Sequence, residues 1–290
     1  DVKAYLDNAG ATQSLPIDRL RHMNPLAIEL YRRYKVDIAA DPLEFAVNNQ
    51  HMNGGIAVDT WGRSNIRGIY AIGEAAGTHG VTRPGGSALN AGQVFGTRVA
   101  EHVAASKVSN TPAEQDIKAV LTDAVDHIDA VLRPDSALEF RAVRDAVQSR
   151  MSDKAGIICV PEDVSSALAD ARALSAAIRR DGLAYDRPRE IGRTLQWQQM
   201  AIASEALLTA LDHYISKGGG SRGARTICDP AGEALPIART GPLEDFRFRT
   251  ERSEDQQRQI FVRLENGEIR ISTRPNRKFD ETASSFFERD

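Results

Sequence analysis

The stretch from Ile66 to Ala105 constrains the fold more than any other. Ile66-Arg67-Gly68-Ile69-Tyr70-Ala71-Ile72 is a compact apolar run, which predicts a buried strand. The thirteen positions that follow, Gly73 to Gly85, hold four glycines and a proline, a composition suited to close backbone approach. Ser87 can then cap a helix running to about Ala105, with Leu89, Val94, Phe95, Val99 and Val103 turned inward. Strand, glycine loop and helix in this order leave a ligand position at the carboxyl end of the strand and the mouth of the helix.

The flanking segments read as follows. Leu26, Leu30, Tyr31 and Tyr34 fall at helical spacing from Pro25 to Val36, and Asp41-Pro42 turns the chain. Leu43, Phe45 and Val47 alternate with Glu44 and Ala46 as in a strand, and Gly54-Gly55 marks a close approach or a sharp bend. Thr111-Pro112-Ala113-Glu114 reads as a capping box with proline at the first helical position. The helix it opens carries Ile117, Val120, Leu121, Ala124, Val125, Ile128, Val131 and Leu132 as a stripe and stops at Pro134.

Further helices are expected from about Ala137 to Asp153, from Pro161 to Arg180 and from Arg189 to Ser216, the last ended by Gly218-Gly219-Gly220. Ile260, Val262 and Leu264, then Asn266-Gly267, then Ile269 and Ile271 predict a hairpin pairing Leu264 with Ile269 and Val262 with Ile271. The expected class is therefore α/β plus α. It comprises a unit of strand, glycine loop and helix over residues 1–110, a helical-bundle domain over 111–228 and an extension with a β-hairpin over 229–290.

Bulk properties narrow the function. With 37 basic and 40 acidic residues the formal charge is −3, and neither sign gathers into a block, so no nucleic-acid partner is expected. No apolar run nears the roughly 18 residues of a membrane span. Cys159 and Cys228 stand far apart outside any Cys-x-x-Cys pattern, which argues against a disulfide framework or a cysteine metal site and for a reducing, cytoplasmic setting; no metal is expected. The start at Asp1 carries no signal-peptide pattern, which predicts a processed start or a fragment.

Three places carry candidate chemistry. Glu74, in Gly73-Glu74-Ala75-Ala76-Gly77, reads either as an acceptor for sugar hydroxyls or as a solvated glutamate in a turn. Arg83, in Arg83-Pro84-Gly85-Gly86-Ser87, reads either as a planar fork for a carboxylate beside a positive helix end or as a surface arginine. His51, in Gln50-His51-Met52-Asn53-Gly54-Gly55, reads as a donor or acid–base group for a substrate, or as a structural or solvated histidine. His79 in the glycine loop divides the same way.

The blocks His51-x-x-Gly54-Gly55-Ile56, Gly68-Ile69-Tyr70-Ala71-Ile72-Gly73-Glu74-Ala75-Ala76, Arg83-Pro84-Gly85-Gly86-Ser87-Ala88-Leu89 and Phe95-Gly96 stand in this order. Together they resemble the fumarate reductase and succinate dehydrogenase flavoprotein superfamily, which includes L-aspartate oxidase. The similarity continues through Met151 to Ile158 and Glu205 to Arg225, so it spans the carboxyl-terminal half of such a protein. The resemblance implies FAD as cofactor, with Gly73, Glu74 and Ala75 at its ribose region and Gly85, Gly86, Ser87, Ala88 and Leu89 facing the isoalloxazine ring. It implies residues 1–110 as the remnant of a Rossmann-like FAD-binding domain and Arg83 as the group that binds a small carboxylate. His51 is the best remaining catalytic candidate beside Arg83, and Gln50, His51 and Arg83 are the expected substrate-binding residues. The implied partners are an amino-terminal FAD-binding and capping half and an electron-transfer subunit.

Two departures bear on the substrate. The family usually has histidine four positions before the first glycine of the pair, where Gln50 stands here, with His51 one residue later. The family's Arg-Leu-Gly-x-Asn-Ser-Leu reads here Arg83-Pro84-Gly85-Gly86-Ser87-Ala88-Leu89, so the serine contact to the flavin is displaced. The expected function is hydride transfer between flavin and a small carboxylic acid in a branch related to fumarate reductase and succinate dehydrogenase. An L-aspartate oxidase-like amino-acid oxidase and a non-catalytic interaction fragment are the alternatives.

Overall fold

The computed structural model describes residues 2–44, 51, 53–81, 86–106, 112–223, 225–236, 241 and 243–276. The chain divides into two compact units, Asp1–Met52 and Asn53–Asp290.

The first unit holds three short helices, α1 (Val2–Asn8), α2 (Pro16–Met23) and α3 (Pro25–Arg33). Proline opens α2 and α3, where its missing N–H would have had no helical acceptor. Ala11 and Ile28 are buried, and His22 Nε2 meets the Ala9 carbonyl at 3.0 Å. The helix expected to reach Val36 ends at Arg33, because Lys35 takes a left-handed φ of 63° that a right-handed helix excludes. Leu43 is exposed and in no strand, while Phe45 and Val47 lie outside the described residues.

In the second unit the helices fall near their expected bounds: α4 (Ser87–Ala105), α5 (Glu114–Val131), α6 (Phe140–Lys154), α7 (Pro161–Asp181) and α8 (Ile191–Ser216). Pro161 opens α7, and Gly182 closes it with its N–H on the Ile178 carbonyl. The capping box before α5 is not formed. Ala113 stays extended at ψ 149° and is the N-cap, so the helix starts at Glu114 and carries Glu114 and Asp116 in its first turn, where the dipole favours carboxylates.

The core belongs to α6, α7 and α8. Val164, Ala167, Leu168 and Ala171 of α7 meet Leu208, Leu211 and Ile215 of α8, with Cys159 and Ile227 closing the end. Val143 and Val147 of α6 join Ile178, Leu183 and Ala201 in a second cluster. Ser165 near the start of α7 donates to Asp212 near the end of α8 at 2.5 Å, so the two helices run antiparallel. Helix α8 also buries Thr194, Ser204 and Thr209, whose hydroxyls bond carbonyls of Glu190, Ala201 and Glu205 along the same stretch of chain, as burial of a polar group requires.

Strand β1 (Ile158–Cys159) pairs in parallel with β2 (Thr226–Ala234), and β2 pairs antiparallel with β3 (Arg247–Phe248). The hairpin β4 (Arg258–Glu265) and β5 (Glu268–Pro275) has the expected register, Leu264 opposite Ile269 and Val262 opposite Ile271, and Asn266 and Gly267 both take positive φ in its turn.

One expectation needs correction. Ile66, Ile69 and Ile72 are exposed while Ala71 is buried, and Tyr70 makes only an isolated antiparallel bridge with Arg63. A buried strand needs ladder partners on both edges, and what lies beside this run is the short return of residues 62–64, with Ser64 N–H on the Ile69 carbonyl at 3.0 Å and Ala71 N–H on the Gly62 carbonyl at 2.9 Å. No helix among the described residues is long and apolar enough to cross a membrane.

Candidate functional site

The glycine pair and the glycine loop come together through backbone. Ile56 N–H donates to the Ala75 carbonyl at 2.8 Å and Gly77 N–H donates to the Ile56 carbonyl at 3.0 Å, which makes a short parallel bridge between Ile56 and Ala76. A methyl group at Gly55 would lie 2.5 Å from the Ala75 oxygen and 2.9 Å from the Ala76 carbonyl carbon, closer than carbon and backbone atoms approach. Gly55 is therefore glycine because two backbones touch there.

Gly73 to Ala75 form one turn of 3-10 helix closed by Ala76 N–H on the Gly73 carbonyl. That turn packs on α4, where a methyl at Gly73 would be 3.5 Å from the Gly92 Cα. Glu74 and Ala75 are exposed and Ala76 is buried. Gly86, the N-cap of α4, is exposed with open space above its Cα, and Leu89 is 83% exposed. The helix offers no acceptors to the N–H groups of its first turn, and its dipole makes that end positive.

The loop before the turn is pinned to the same helix. The Arg98 guanidinium lies 5.3 Å from the centre of the Trp61 ring and donates to the Thr60 carbonyl at 3.0 Å, while Trp61 stacks on His102 at 5.3 Å. Burial pushes the Asp59 carboxyl up, but N–H donors of Arg63 and Trp61 and the Arg63 guanidinium outweigh it and hold it below the usual carboxylate range.

The structure thus brings together Gly73, Glu74 and Ala75 and the helix that begins with Ser87, Ala88 and Leu89. Arg83, Gly85 and Gln50 lie outside the described residues. His51 is half-buried and belongs to the first unit. His79 is half-buried in the glycine loop. In the sequence Asn53 stands out only as the neighbour of the glycine pair. In the structure it adopts a left-handed φ of 51°, and its Nδ2 donates to the Val81 carbonyl at 2.6 Å. An asparagine directly before Gly-Gly is the signal that pointed there, since asparagine enters that region most readily. Gly223, of the loop after α8, meets the same residue: a methyl there would be 2.8 Å from Val81 Cγ1.

A cleft of about 570 Å³ between α6 and α7 is a different place, lined by Arg150, Lys154, Asp153 and Asp170 with Leu174 and alanines. Its two cations and two carboxylates cancel, and it shares no residue with the glycine-rich site.

Residues 4–89 match the family model for the FAD binding domain. A fumarate reductase (CoM/CoB) chain of Methanothermobacter marburgensis is 31% identical over 134 residues, 46% of this chain and 24% of that protein. An L-aspartate oxidase of Rhodospirillum rubrum is 27% identical over 225 residues, 76% of this chain and 71% of that protein. These matches support a place for the chain beside the fumarate reductase and succinate dehydrogenase flavoproteins, to which it is similar. Among solved members, FrdA of an E. coli quinol fumarate reductase variant superposes with a TM-score of 0.71 at 19% identity, over 92% of this chain and 44% of that one. Mycobacterium smegmatis Sdh1 gives 0.65 at 19% identity, over 95% and 44%. The chain thus spans about a quarter of the first curated relative and under half of these structures.

The residues of the glycine-rich site would fit a flavin. An uncovered glycine and an exposed leucine at a positive helix end suit the flat face and electron-rich edge of a flavin. The exposed Glu74 on the turn facing the same helix suits a polyhydroxyl chain or a ribose.

Proposed function

We propose that this chain forms part of an FAD-dependent oxidoreductase acting on a small carboxylic acid. The observation that carries the reading is the Gly73–Ala75 turn packed on α4, inside the span matched to the FAD binding domain. FAD supplies the hydride acceptor or donor. The first turn of α4 stabilises negative charge on the electron-rich edge of the ring, Gly86 leaves the ring room, and Glu74 accepts from sugar hydroxyls. By the flavoprotein resemblance Arg83 is the candidate fork for the substrate carboxylate, and His51 and Gln50 remain candidates for substrate contact. Within this reading residues 1–110 serve the cofactor, 111–228 brace it, 229–290 form an extension, and an electron-transfer subunit is the expected partner.

The purified full-length protein should be yellow with bound FAD, and FAD added to apoprotein should raise its melting temperature. A colourless protein that gains no stability from FAD overturns the reading. The similarity to an L-aspartate oxidase over 76% of the chain favours a second form of it, oxidation of an amino acid to an imine. Peroxide formed with L-aspartate supports that form, and oxidation of reduced viologen by fumarate supports the first.

A further inference from the structure

We infer that the cleft between α6 and α7 is a binding site for a small monocarboxylate, received by the guanidinium of Arg150. The cleft encloses about 570 Å³ and is lined wholly by these two helices, apart from the glycine-rich site. Arg150 and Lys154 stand one turn apart on α6 and both line it, as residues four apart on one helix face do. Arg150 is 9% exposed, and its Nε and Nη2 are closed to solvent with no acceptor among the described residues. In a guanidinium these two nitrogens share one edge and point their N–H bonds the same way. A carboxylate fills that edge with two parallel hydrogen bonds.

The charges nearby do not answer that edge. Lys154 Nζ lies 3.8 Å from Asp170 Oδ2 and donates to Ser166 Oγ at 3.4 Å, so the Asp170 carboxylate is turned to the lysine. Burial pulls the Arg150 guanidinium below its ordinary pKa, and the charge of Asp170 opposes this. A guanidinium stays charged all the same, and a buried charge without a hydrogen-bonded partner destabilises the fold that holds it. An oxyanion entering by the cleft offsets that cost. The walls select its class. Leu174, Ala146, Ala173 and Ala177 give an apolar lining that takes a short hydrocarbon body. Asp153 and Asp170 line the same cleft and repel a dianion more strongly than a monoanion, so a singly charged carboxylate is preferred to phosphate.

The test is equilibrium dialysis of radiolabelled butyrate against the full-length FAD-loaded protein, in a buffer free of phosphate and of other carboxylates. Arg150→Met keeps the length of the side chain and removes the charge, and Arg150→Lys keeps the charge and removes the fork. Each should weaken binding at the cleft at least about tenfold, the effect of losing a bidentate contact, and so lose about one equivalent of butyrate at concentrations that fill the site in wild type. Ala173→Leu narrows the cleft from α7 without touching a charge and should lose the same equivalent. Butyrate held at the flavin is untouched by all three changes, so only the cleft is counted. Inorganic phosphate at equal concentration should leave the bound butyrate in place.

If wild type binds no butyrate, or if Arg150→Met holds as much as wild type, the inference is overturned. Should the Arg150 variants fail to fold, Ala173→Leu decides, and undiminished binding by it overturns the site. Displacement of butyrate by phosphate as readily as by unlabelled butyrate overturns the class of ligand. A melting temperature lowered equally by Arg150→Met and by Asp170→Asn, with nothing added in the double variant, identifies an internal ion pair as the role of Arg150 and also overturns the inference.

Discussion

A single hydrogen atom at Gly55 decides whether two glycine-rich segments can meet. With the Ala75 oxygen 2.5 Å from where a Cβ would stand, Gly55→Ala has to push two backbones apart and break the bonds of Ile56 and Gly77. The expected cost is about 1–3 kcal/mol, read as a shift in the urea unfolding midpoint, together with weakened FAD binding. An unchanged midpoint and unchanged FAD affinity would show that the contact yields without cost. Gly54-Gly55 was legible as a close approach because only glycine serves there, but which backbone came close was not, since Ala75 lies twenty residues away.

Helices were the most legible elements, and their buried faces the least. The stripe of α5 and the inward face of α8 look alike in sequence, yet Val120 and Leu121 are exposed while Leu208 is fully buried. Leu208→Ala should cost about 2–5 kcal/mol, whereas Val120→Ala should stay within about 0.5 kcal/mol. Equal losses in chemical denaturation would contradict the burial difference. The apolar run Ile66–Ile72 failed as a strand for a related reason: a strand exists through its neighbours, and periodicity names none. The two-residue strands β1 and β3 were invisible because they depend on pairings across tens of residues. The hairpin β4–β5 was readable in full because its turn and its partner are local.

At the scale of the whole second unit, the end of α8 is tied to the segment after it by a charged network. Arg249 donates to the Ile215 and Gly219 carbonyls and to Asp229. Arg252 grips Asp255 through both ends of its fork, at 2.9 and 2.6 Å, and Tyr214 bonds the Gly220 carbonyl at 2.8 Å. The hydrogen bond from Arg252 is the main cause holding the Asp255 carboxyl below its ordinary value; partial burial opposes it. A carboxyl depressed in the folded state contributes stability that is present above its unfolded value, about 3.9, and lost as pH falls through the folded value. Asp255→Asn should therefore lower the melting temperature at neutral pH and converge with wild type in acid. A gap that stays constant down to strongly acidic pH would exclude the linkage.

The sequence by itself determined the flavoprotein resemblance, the glycine blocks, the presence of the long helices and the hairpin register, because these rest on local conformation and on residue types that few alternatives can replace. Only the tertiary structure decided which apolar stripes are buried, which carbonyl lies against Gly55, and that Asn53 reaches Val81. Those facts depend on contacts between residues far apart in the chain, and no local pattern encodes the partner.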